Sequence, residues 1–375
     1  MARENPPKYL QIMRDIKRGI QENSVEHGEK LPTEDEFITK YKVSRQTIRH
    51  ALSQLVNEKV IYRIPGRGTF YANSSKPESP ITGNIISVII PNITDYIFPS
   101  IIEGIGEVLR GTGYNILLFS TQRNFELERE ALETSLNRHV FGVIIEPVKN
   151  TLPNPNYDLY RTLEERTMAV VALHGVSPNL PPMPTVLFDD QSAARELTQF
   201  TVDQGHKNIG GIFKLDDSQG TLRLKGFLDV LHGNSLPFTP RWLSFYTTDS
   251  QEYVVQSYCQ TVFLTEKISG PSAVVCYNDE IAVNLINHLG KQNISVPRDI
   301  SILGFDDSPL ADVGSVGLTT IHHPQRDFGK KAAQIILQIL HGTYNSRLTP
   351  YVFPPQLVVR TSCAGPSLAQ HHSNK

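Results

Sequence analysis

The stretch KLPTEDEFITKYKVSRQTIRHALSQLVNEKVIYRIPGRGTFY, residues 30–71, decides the fold of the first part of the chain. It predicts two short helices joined by a turn and followed by a β-hairpin. Thr33 can cap the first helix, and Glu36, three residues later, completes a capping box. The turn lies at residues 42–43, and Ser44 can cap the second helix.

The second helix has an apolar and a polar face. Its apolar residues recur at helical spacing and must face inward: Ile48, Ala51, Leu52 and Leu55. Arg45, Gln46 and Arg49 then lie on the outer face, near the helix end whose free N–H groups attract phosphate. A buried stripe with base-reading side chains in the first turns is typical of a helix that enters a DNA major groove.

The predicted hairpin supports the same interpretation. Residues 60–64 and 69–71 are rich in β-forming residues, and Pro-Gly-Arg-Gly between them is a turn signal. Arg67 lies at the tip, where it could enter a minor groove. The alternative is a small helical domain whose hairpin binds nothing. Two cationic helix residues and a cationic tip on one continuous motif favour DNA binding.

These segments carry a family resemblance. LPTEDEF, VSRQTIRHAL and PGRGTF resemble the winged helix-turn-helix of GntR-type bacterial regulators, and PPKYLQIMRDIKRGI resembles its first helix. The resemblance implies an α+β winged helix, three helices plus a β-hairpin, over residues 1–73. The resemblance also implies that the following residues contact operator DNA: Lys8, Tyr9, Lys30, Glu34, Ser44, Arg45, Gln46, Thr47, Arg49, Gly66, Arg67 and Gly68. Many members have Arg where this chain has Asp35, which puts one DNA contact in question and predicts a different operator.

Composition and charge bound the class of protein. With 375 residues, 39% of them hydrophobic and 20% charged, the chain is expected to hold two or three soluble globular domains. Residues 1–76 carry 14 Lys and Arg against 9 Asp and Glu, a formal charge of +5, so the remainder of this chain of net charge −2 carries −7. A basic head on an acidic body suits a nucleic-acid module joined to a module for another ligand.

Location and redox state follow from absences in the sequence. It has no run of eighteen apolar residues and no apolar signal region at its start, so we expect a cytoplasmic protein that does not enter a membrane. The three cysteines, Cys259, Cys276 and Cys363, have neither metal-binding nor redox spacing. They are expected to be free thiols.

The rest of the chain predicts an α/β body. Residues 72–83 are rich in Ser, Pro and Asn, so we expect a semi-stiff linker at 74–83. Strand and helix patterns then alternate, including a continuous apolar strand (IISVII), a helix at 251–265 and a strand at 300–305. There are too many βα units for one small sheet, so we infer two lobes with parallel sheets facing a cleft over residues 84–362. Residues 363–375 form a polar tail.

Polar and aromatic residues follow the predicted strands, where ligands of such sheets bind. Candidates for the ligand site are Tyr96, Phe98, Glu146, Asn278 and Asp306. Carboxylates, amides and guanidiniums that converge with aromatic rings suit a polyhydroxyl ligand. Tyr96 and Phe98 are equally compatible with a core role. The Asp-Asp pairs that follow strands at 189–190, 216–217 and 306–307 are expected to contribute one helix cap or turn residue each.

The body resembles the sugar-binding domain of LacI-type repressors, itself like periplasmic binding proteins. The resemblance rests on RLKGF at 223–227, CYNDEIA at 276–282, VPRDISILGFDDS at 296–308 and LTTIHHP at 318–324. It implies that Arg223 and Asp306 bind the effector. From the helix pattern alone, Arg223 is equally compatible with a solvated surface arginine. We expect His174 to be a polar loop residue, and His322 and His323 to be structural.

Four further segments of the body are TDYIFPSIIEGI, IIEPVKN, GIFKLDDSQG and CYNDEIA. With them, the head and body together resemble the family of bacterial arabinose repressors. That resemblance implies L-arabinose as effector and arabinose-utilisation genes as targets. We therefore expect a repressor that binds operator double-stranded DNA as a homodimer and is released by L-arabinose or a related small sugar. No catalytic, metal or cofactor motif stands out, so no enzyme is expected. The alternatives are the same regulator responding to another pentose, a hexose or a nucleoside, and a sugar-binding or sugar-processing protein that does not bind DNA.

Overall fold

The computed structural model describes residues 8–21, 29–57, 60–64, 68–71, 84–94, 96–264, 270–312, 316–345 and 348–366. The chain divides into two compact units, Met1–Gly83 and Asn84–Lys375. They are called the head and the body here. The predicted linker at 74–83 and the predicted tail beyond residue 366 lie outside the described residues.

The head contains three helices and one antiparallel hairpin: α1 (Lys8–Gln21), α2 (Glu34–Tyr41), α3 (Arg45–Asn57), β1 (Ile61–Ile64) and β2 (Gly68–Tyr71). The predicted capping box is confirmed, because the Thr33 hydroxyl accepts from the N–H of Glu36 and the Glu36 carboxylate accepts from the N–H of Thr33. The predicted apolar stripe of α3 is buried, and it packs against Ile12 of α1 and Phe37 of α2.

The body alternates strands and helices, as its sequence pattern predicts. Its helices are α4 (Phe98–Leu109), α5 (Phe125–Asn137), α6 (Tyr157–Glu165), α7 (Asp190–Asp203), α8 (Ser218–Gly233), α9 (Gln251–Cys259), α10 (Asp279–Lys291) and α11 (Gln325–Leu340). Its strands are β3 (Asn84–Ile90), β4 (Tyr114–Ser120), β5 (Gly142–Ile145), β6 (Ala169–Leu173), β7 (Thr185–Phe188), β8 (Ile209–Lys214), β9 (Leu243–Tyr246), β10 (Ala273–Cys276), β11 (Ser301–Leu303), β12 (Thr320–Ile321), β13 (Tyr351–Phe353) and β14 (Leu357–Val358).

Two parallel sheets define two lobes. The first lobe holds six strands in the order β13-β7-β6-β5-β3-β4, and the second holds four in the order β11-β10-β8-β9. A short antiparallel pair, β12 and β14, is bridged to the end of β11. The chain passes between the lobes after β7, before α11 and after β13, so each lobe is built from separate segments of the sequence.

Strand β3, which lies next to the edge strand β4, is buried on both faces, as its continuous apolar sequence predicts. Ile86 and Val88 pack into the core beneath α4 and α11, whereas Ile85 and Ile89 pack into the core beneath α5 and α6. This arrangement fixes the carboxyl end of β3 next to the cleft.

Several predicted elements differ from the structure. The helix predicted at 251–265 ends at Cys259 and continues as one π-helical turn, Gln260–Leu264. The strand predicted at 300–305 is shorter in the structure and spans Ser301–Leu303. Strands β12 and β13 were not predicted, since each is only two or three residues long. Among the described residues, no helix has the length and apolar character needed to cross a membrane.

Candidate DNA-reading face and effector cleft

The outer face of α3 carries the predicted DNA-contacting side chains. Ser44, Arg45, Gln46 and Arg49 are exposed, and Thr47 is half-buried. The Ser44 hydroxyl accepts from the N–H of Thr47 at 3.2 Å, so it caps α3 as expected. The first turns of α3 thus present two guanidiniums and an amide away from the head's core.

Both arginines of this face are paired with carboxylates on the first turn of α2. The Arg45 guanidinium contacts Asp35, and Arg49 Nε donates to Glu34 Oε2 at 3.0 Å. These side chains are ten and fifteen residues apart in sequence, and only the packing of α2 against α3 brings them together. Asp35, which stands where many family members have arginine, thus pairs with an arginine of the reading face.

The remaining head candidates lie around this face. Lys8 is exposed at the start of α1, and Tyr9 packs edge-on against His50. The Lys30 side chain lies over the wing, where a Cβ on Gly68 would come within 2.7 Å of its Cε. The other two wing-tip candidates, Gly66 and Arg67, lie outside the described residues.

The body has a cleft between its lobes, beyond the carboxyl ends of several strands. About 560 Å³ of space that protein atoms do not fill lies among its lining residues, part of it open to solvent. Five of the six predicted effector residues line it: Tyr96, Phe98, Glu146, Asn278 and Asp306. Asn278 caps α10 through its side-chain oxygen, which leaves its NH2 group for a ligand. Further charged residues at the cleft are Arg123, Lys149, Lys214 and Asp217.

The sixth predicted residue, Arg223, lies behind the cleft. It is fully buried, and its guanidinium donates to Asp190 Oδ1 at 2.7 Å, to the carbonyl of Tyr277 at 2.7 Å and to Asp306 Oδ1 at 2.9 Å. It also lies over the ring of Phe305, 4.6 Å from the centroid. Arg223 therefore orients Asp306 from the protein side, while Asp306 itself reaches the cleft.

Buried carboxylates surround this arginine. Burial raises the pKa of Asp190 to about 6, against the opposing attraction of Arg223. Burial and the negative charge of Asp306 raise the pKa of Asp279 to about 8. Burial and Asp306 also hold the pKa of the Tyr96 phenol well above its ordinary value, so Tyr96 stays protonated and donates to Asp306 Oδ2.

Arg123 is one of the cleft residues that are not among the candidates from the sequence. It follows β4 in the loop before α5, and the structure shows no hydrogen bond or ion pair for its guanidinium within the described ranges. The negative charges of Glu146, Asp217 and Glu280 attract this guanidinium. The signal that could have found it is its position after a strand, the same signal that selected Glu146.

A buried chain of side chains leads inward from Glu146. Glu146 Oε2 lies 2.8 Å from His174 Nδ1, and His174 Nε2 lies 3.1 Å from His323 Nε2. Although burial alone would lower the pKa of His174, the charge of Glu146 raises it, whereas burial lowers the pKa of His323 well below its ordinary value. His174 lies in the loop after β6, as expected, and its side chain is buried at the cleft.

Several hydrogen bonds cross the cleft from lobe to lobe. Asn150 Oδ1 accepts from the N–H of Ser218 at 2.7 Å, and Lys149 Nζ lies 2.8 Å from Asp249 Oδ2. The bond from Tyr96 to Asp306 also joins the two lobes. Each of these contacts involves at least one residue that lines the cleft.

The backbone is strained where it borders the cleft. Five lining residues adopt positive φ angles between 47° and 99°: Tyr96, Arg123, Lys149, His174 and Asp306. Residues other than glycine rarely adopt this conformation, and such strain concentrates at ligand sites.

The Asp pairs behave as expected at two places, where Asp189 caps α7 and Asp217 caps α8.

Comparison with known proteins agrees with this two-part architecture. Residues 8–70 match the model of bacterial regulatory proteins of the gntR family, and residues 198–363 match that of the periplasmic binding protein-like domain. A LacI transcriptional regulator from Alkaliphilus metalliredigens, solved in complex with D-xylulofuranose, superimposes with a TM-score of 0.62 at 22% identity, covering 75% of this chain and 99% of that one. At 22% identity, this similarity shows a shared fold only.

Two curated relatives match almost the whole chain. Arabinose metabolism transcriptional repressors from Geobacillus stearothermophilus and Halalkalibacterium halodurans are each 35% identical to it. The first alignment covers 96% of this chain and 99% of the relative, and the second covers 95% and 96%. Since head and body align together, the similarity extends to the combination of the two modules.

Proposed function

We propose a function on one premise: this chain belongs to the family of arabinose metabolism transcriptional repressors. It is a DNA-binding regulator with a sugar-binding type of effector domain, and not an enzyme. The finer proposal is that L-arabinose enters the cleft of the body and releases the protein from the operator of arabinose-utilisation genes. The relatives are named for arabinose metabolism, and the chemistry of the cleft supports a single small sugar.

The observation that carries this proposal is the lining of the cleft. Each sugar hydroxyl both donates and accepts a hydrogen bond, so a site for it needs acceptors and donors close together. Asp306 and Glu146 supply carboxylate acceptors, and Asn278 and Arg123 supply donors. The ring of Phe98 can cover the apolar C–H face of a sugar.

We assign Arg223 a positioning role rather than a direct contact. Its three hydrogen bonds all go to protein atoms, and no part of it is exposed. Arg123 is the guanidinium whose planar fork can hold two neighbouring hydroxyls. On this assignment Arg123, and not Arg223, should discriminate among sugars.

In the head, we propose that the exposed face of α3 reads operator bases in the major groove. Arg45 and Arg49 supply the donors that guanine accepts, and Gln46 can bond to adenine. The homodimer remains part of this proposal: two heads would bind a palindromic operator whose half-site spacing follows the dimer.

The contacts that close the cleft suggest how sugar and DNA binding are coupled. A sugar seated between Glu146 and Asp306 would favour the closed body, because the two residues lie on different lobes. If closure disfavours the DNA-bound arrangement of the dimer, DNA must weaken sugar binding by the same factor. A coupling of about 1–3 kcal/mol would give roughly 5–150-fold release.

The test is a gel shift of the full chain on promoter DNA of arabinose-utilisation genes, titrated with L-arabinose, D-xylose, D-ribose, D-glucose and a nucleoside. We expect L-arabinose alone to weaken binding. Release of the DNA by one of the other compounds would identify that compound as the effector instead. Release by none of them would overturn the coupled mechanism, and light scattering of the same sample measures whether it is a dimer.

A further inference from the structure

The feature that carries a further inference is the pairing of both arginines on the reading face of the head. Arg45 and Arg49 are the two Lys or Arg residues of α3, and each contacts a carboxylate on α2. The Asp35 side chain is 76% exposed and that of Arg45 is 56% exposed. Such an exposed pair contributes little to stability, so the stability of the head does not explain it.

The pair does change what the head presents to DNA. Binding to DNA of any sequence depends on cations that neutralise phosphates and release counterions. An arginine already paired with a carboxylate gains less from a phosphate, and Asp35 repels that phosphate. Asp35 also lies in the first turn of α2, where the helix dipole stabilises its negative charge.

The same pair leaves base recognition possible. Arginine has five N–H donors, and Asp35 is bonded to Nη2 of Arg45. The remaining donors can bind the O6 and N7 acceptors of guanine while the carboxylate holds the guanidinium plane in one orientation. The pairing therefore penalises contacts to phosphate more than contacts to a base edge.

We propose that Asp35 is a specificity-determining residue, which lowers binding to non-operator DNA by holding the Arg45 guanidinium. This inference rests on the proposed assignment of Arg45 to operator DNA. The aspartate at this position, where many family members have arginine, would then serve to discriminate against non-operator DNA. Affinity for the operator is retained, and the ratio of operator affinity to the affinity for other DNA increases.

The experiment compares dissociation constants of the full chain for an operator duplex and for a scrambled duplex, each at several salt concentrations. We expect Asp35→Asn to tighten binding to scrambled DNA about five- to tenfold and to operator at most about twofold, with a salt slope on scrambled DNA steeper by about one ion. The matched control is Asp299→Asn, which removes the same charge from an exposed Arg298–Asp299 pair in the body. It should change neither constant.

A double variant tests whether Asp35 acts through its partner. In an Arg45→Ala background, Asp35→Asn should tighten binding to scrambled DNA much less than it does in the unmodified protein, because only the direct repulsion between Asp35 and phosphate is left to remove. The inference is overturned if Asp35→Asn leaves binding to scrambled DNA unchanged, or weakens operator binding more than it changes scrambled binding. Failure of the underlying function looks different, because Arg45→Ala alone would then keep full operator affinity.

Discussion

Arg223 and Asp306 form a buried ion pair, with Nη2 of the arginine 2.9 Å from Oδ1 of the aspartate, and the aspartate alone reaches the cleft. Arg223 lies in α8 and Asp306 follows β11, 83 positions apart in the sequence. A carboxylate held in this way has a fixed orientation before any ligand arrives. Preorganisation of this kind lowers the cost of binding, and it divides the pair into one contact residue and one positioning residue.

Replacement of the contact residue should abolish the sugar response. In Asp306→Asn, an amide NH2 replaces one of the two oxygens that accept from Arg223 and Tyr96. One buried donor then loses its partner, at a cost of about 1–3 kcal/mol, and a sugar hydroxyl loses a charged acceptor. We expect operator binding without sugar to persist, while the thermal shift with L-arabinose disappears. Asp327→Asn, an exposed change on α11, should retain that shift.

Replacement of the positioning residue should instead affect folding. Arg223→Met leaves the buried carboxylates of Asp190 and Asp306 without their cation. Loss of one partner from a buried pair typically costs about 3–5 kcal/mol. Urea denaturation of the body should show a loss of this order. A stability equal to that of the unmodified protein would contradict the positioning role.

Arg123 should show the opposite behaviour. Because its guanidinium forms no hydrogen bond or ion pair in the described part of the chain, Arg123→Ala should change the free energy of unfolding little. The variant should lose most of its affinity for the sugar, which isothermal titration calorimetry measures directly. Arg161→Ala on α6 is the control, since it removes an arginine that lies outside the cleft. Unchanged sugar affinity in Arg123→Ala would remove it from the site.

Two glycines of α4 offer a matched pair for testing helix packing. A Cβ on Gly104 would lie 2.0 Å from the carbonyl oxygen of Arg326 on α11, so Gly104→Ala should force the helices apart and cost about 1–3 kcal/mol. A Cβ on Gly106 has as its nearest neighbour Ile116 Cδ1 at 4.0 Å. Gly106→Ala should therefore be neutral or stabilise the helix by up to about 1 kcal/mol. Equal melting temperatures for both variants would be inconsistent with this close contact.

The buried carboxyl of Asp279 predicts a pH dependence of stability. Its pKa is raised from the ordinary value of 3.8 to about 8, so the folded protein binds this proton more tightly than the unfolded chain. Its contribution to stability is fully present below pH 3.8 and is lost as the pH rises toward about 8. The difference in free energy of unfolding between the unmodified protein and Asp279→Asn isolates this effect. That difference should move in favour of the asparagine variant as the pH rises from 5 to 9, and a constant difference would refute the prediction.

The sequence predicted the class of fold because its signals are local and periodic. The apolar stripe of α3, the capping box at Thr33 and the continuous apolar run of β3 each specify one element without information from elsewhere in the chain. The cleft residues Tyr96, Glu146 and Asp306 were predictable for a related reason, since parallel strands bring their carboxyl ends to one edge of a sheet.

What could not be predicted depends on tertiary packing. The apolar neighbours of Arg223 in α8 are compatible with either a solvated or a buried arginine, and its burial follows from the packing of α7 and the strands around it. The pairing of Asp35 with Arg45 depends on how α2 crosses α3. Arg123 has a strand-end position like that of Glu146, but its local sequence does not distinguish it from a solvated arginine of a loop.

The three passages of the chain between the lobes have a consequence for synthesis. Strand β13 forms the edge of a sheet whose other five strands end by Phe188, and α11 covers that sheet from residues 325–340. During translation the first lobe therefore cannot be completed until residue 353 has left the ribosome, by which point all of β8 to β12 has been made. A message truncated after β12 would yield a chain with an unfinished first lobe, so the regulator becomes competent to bind sugar only near the end of its own synthesis.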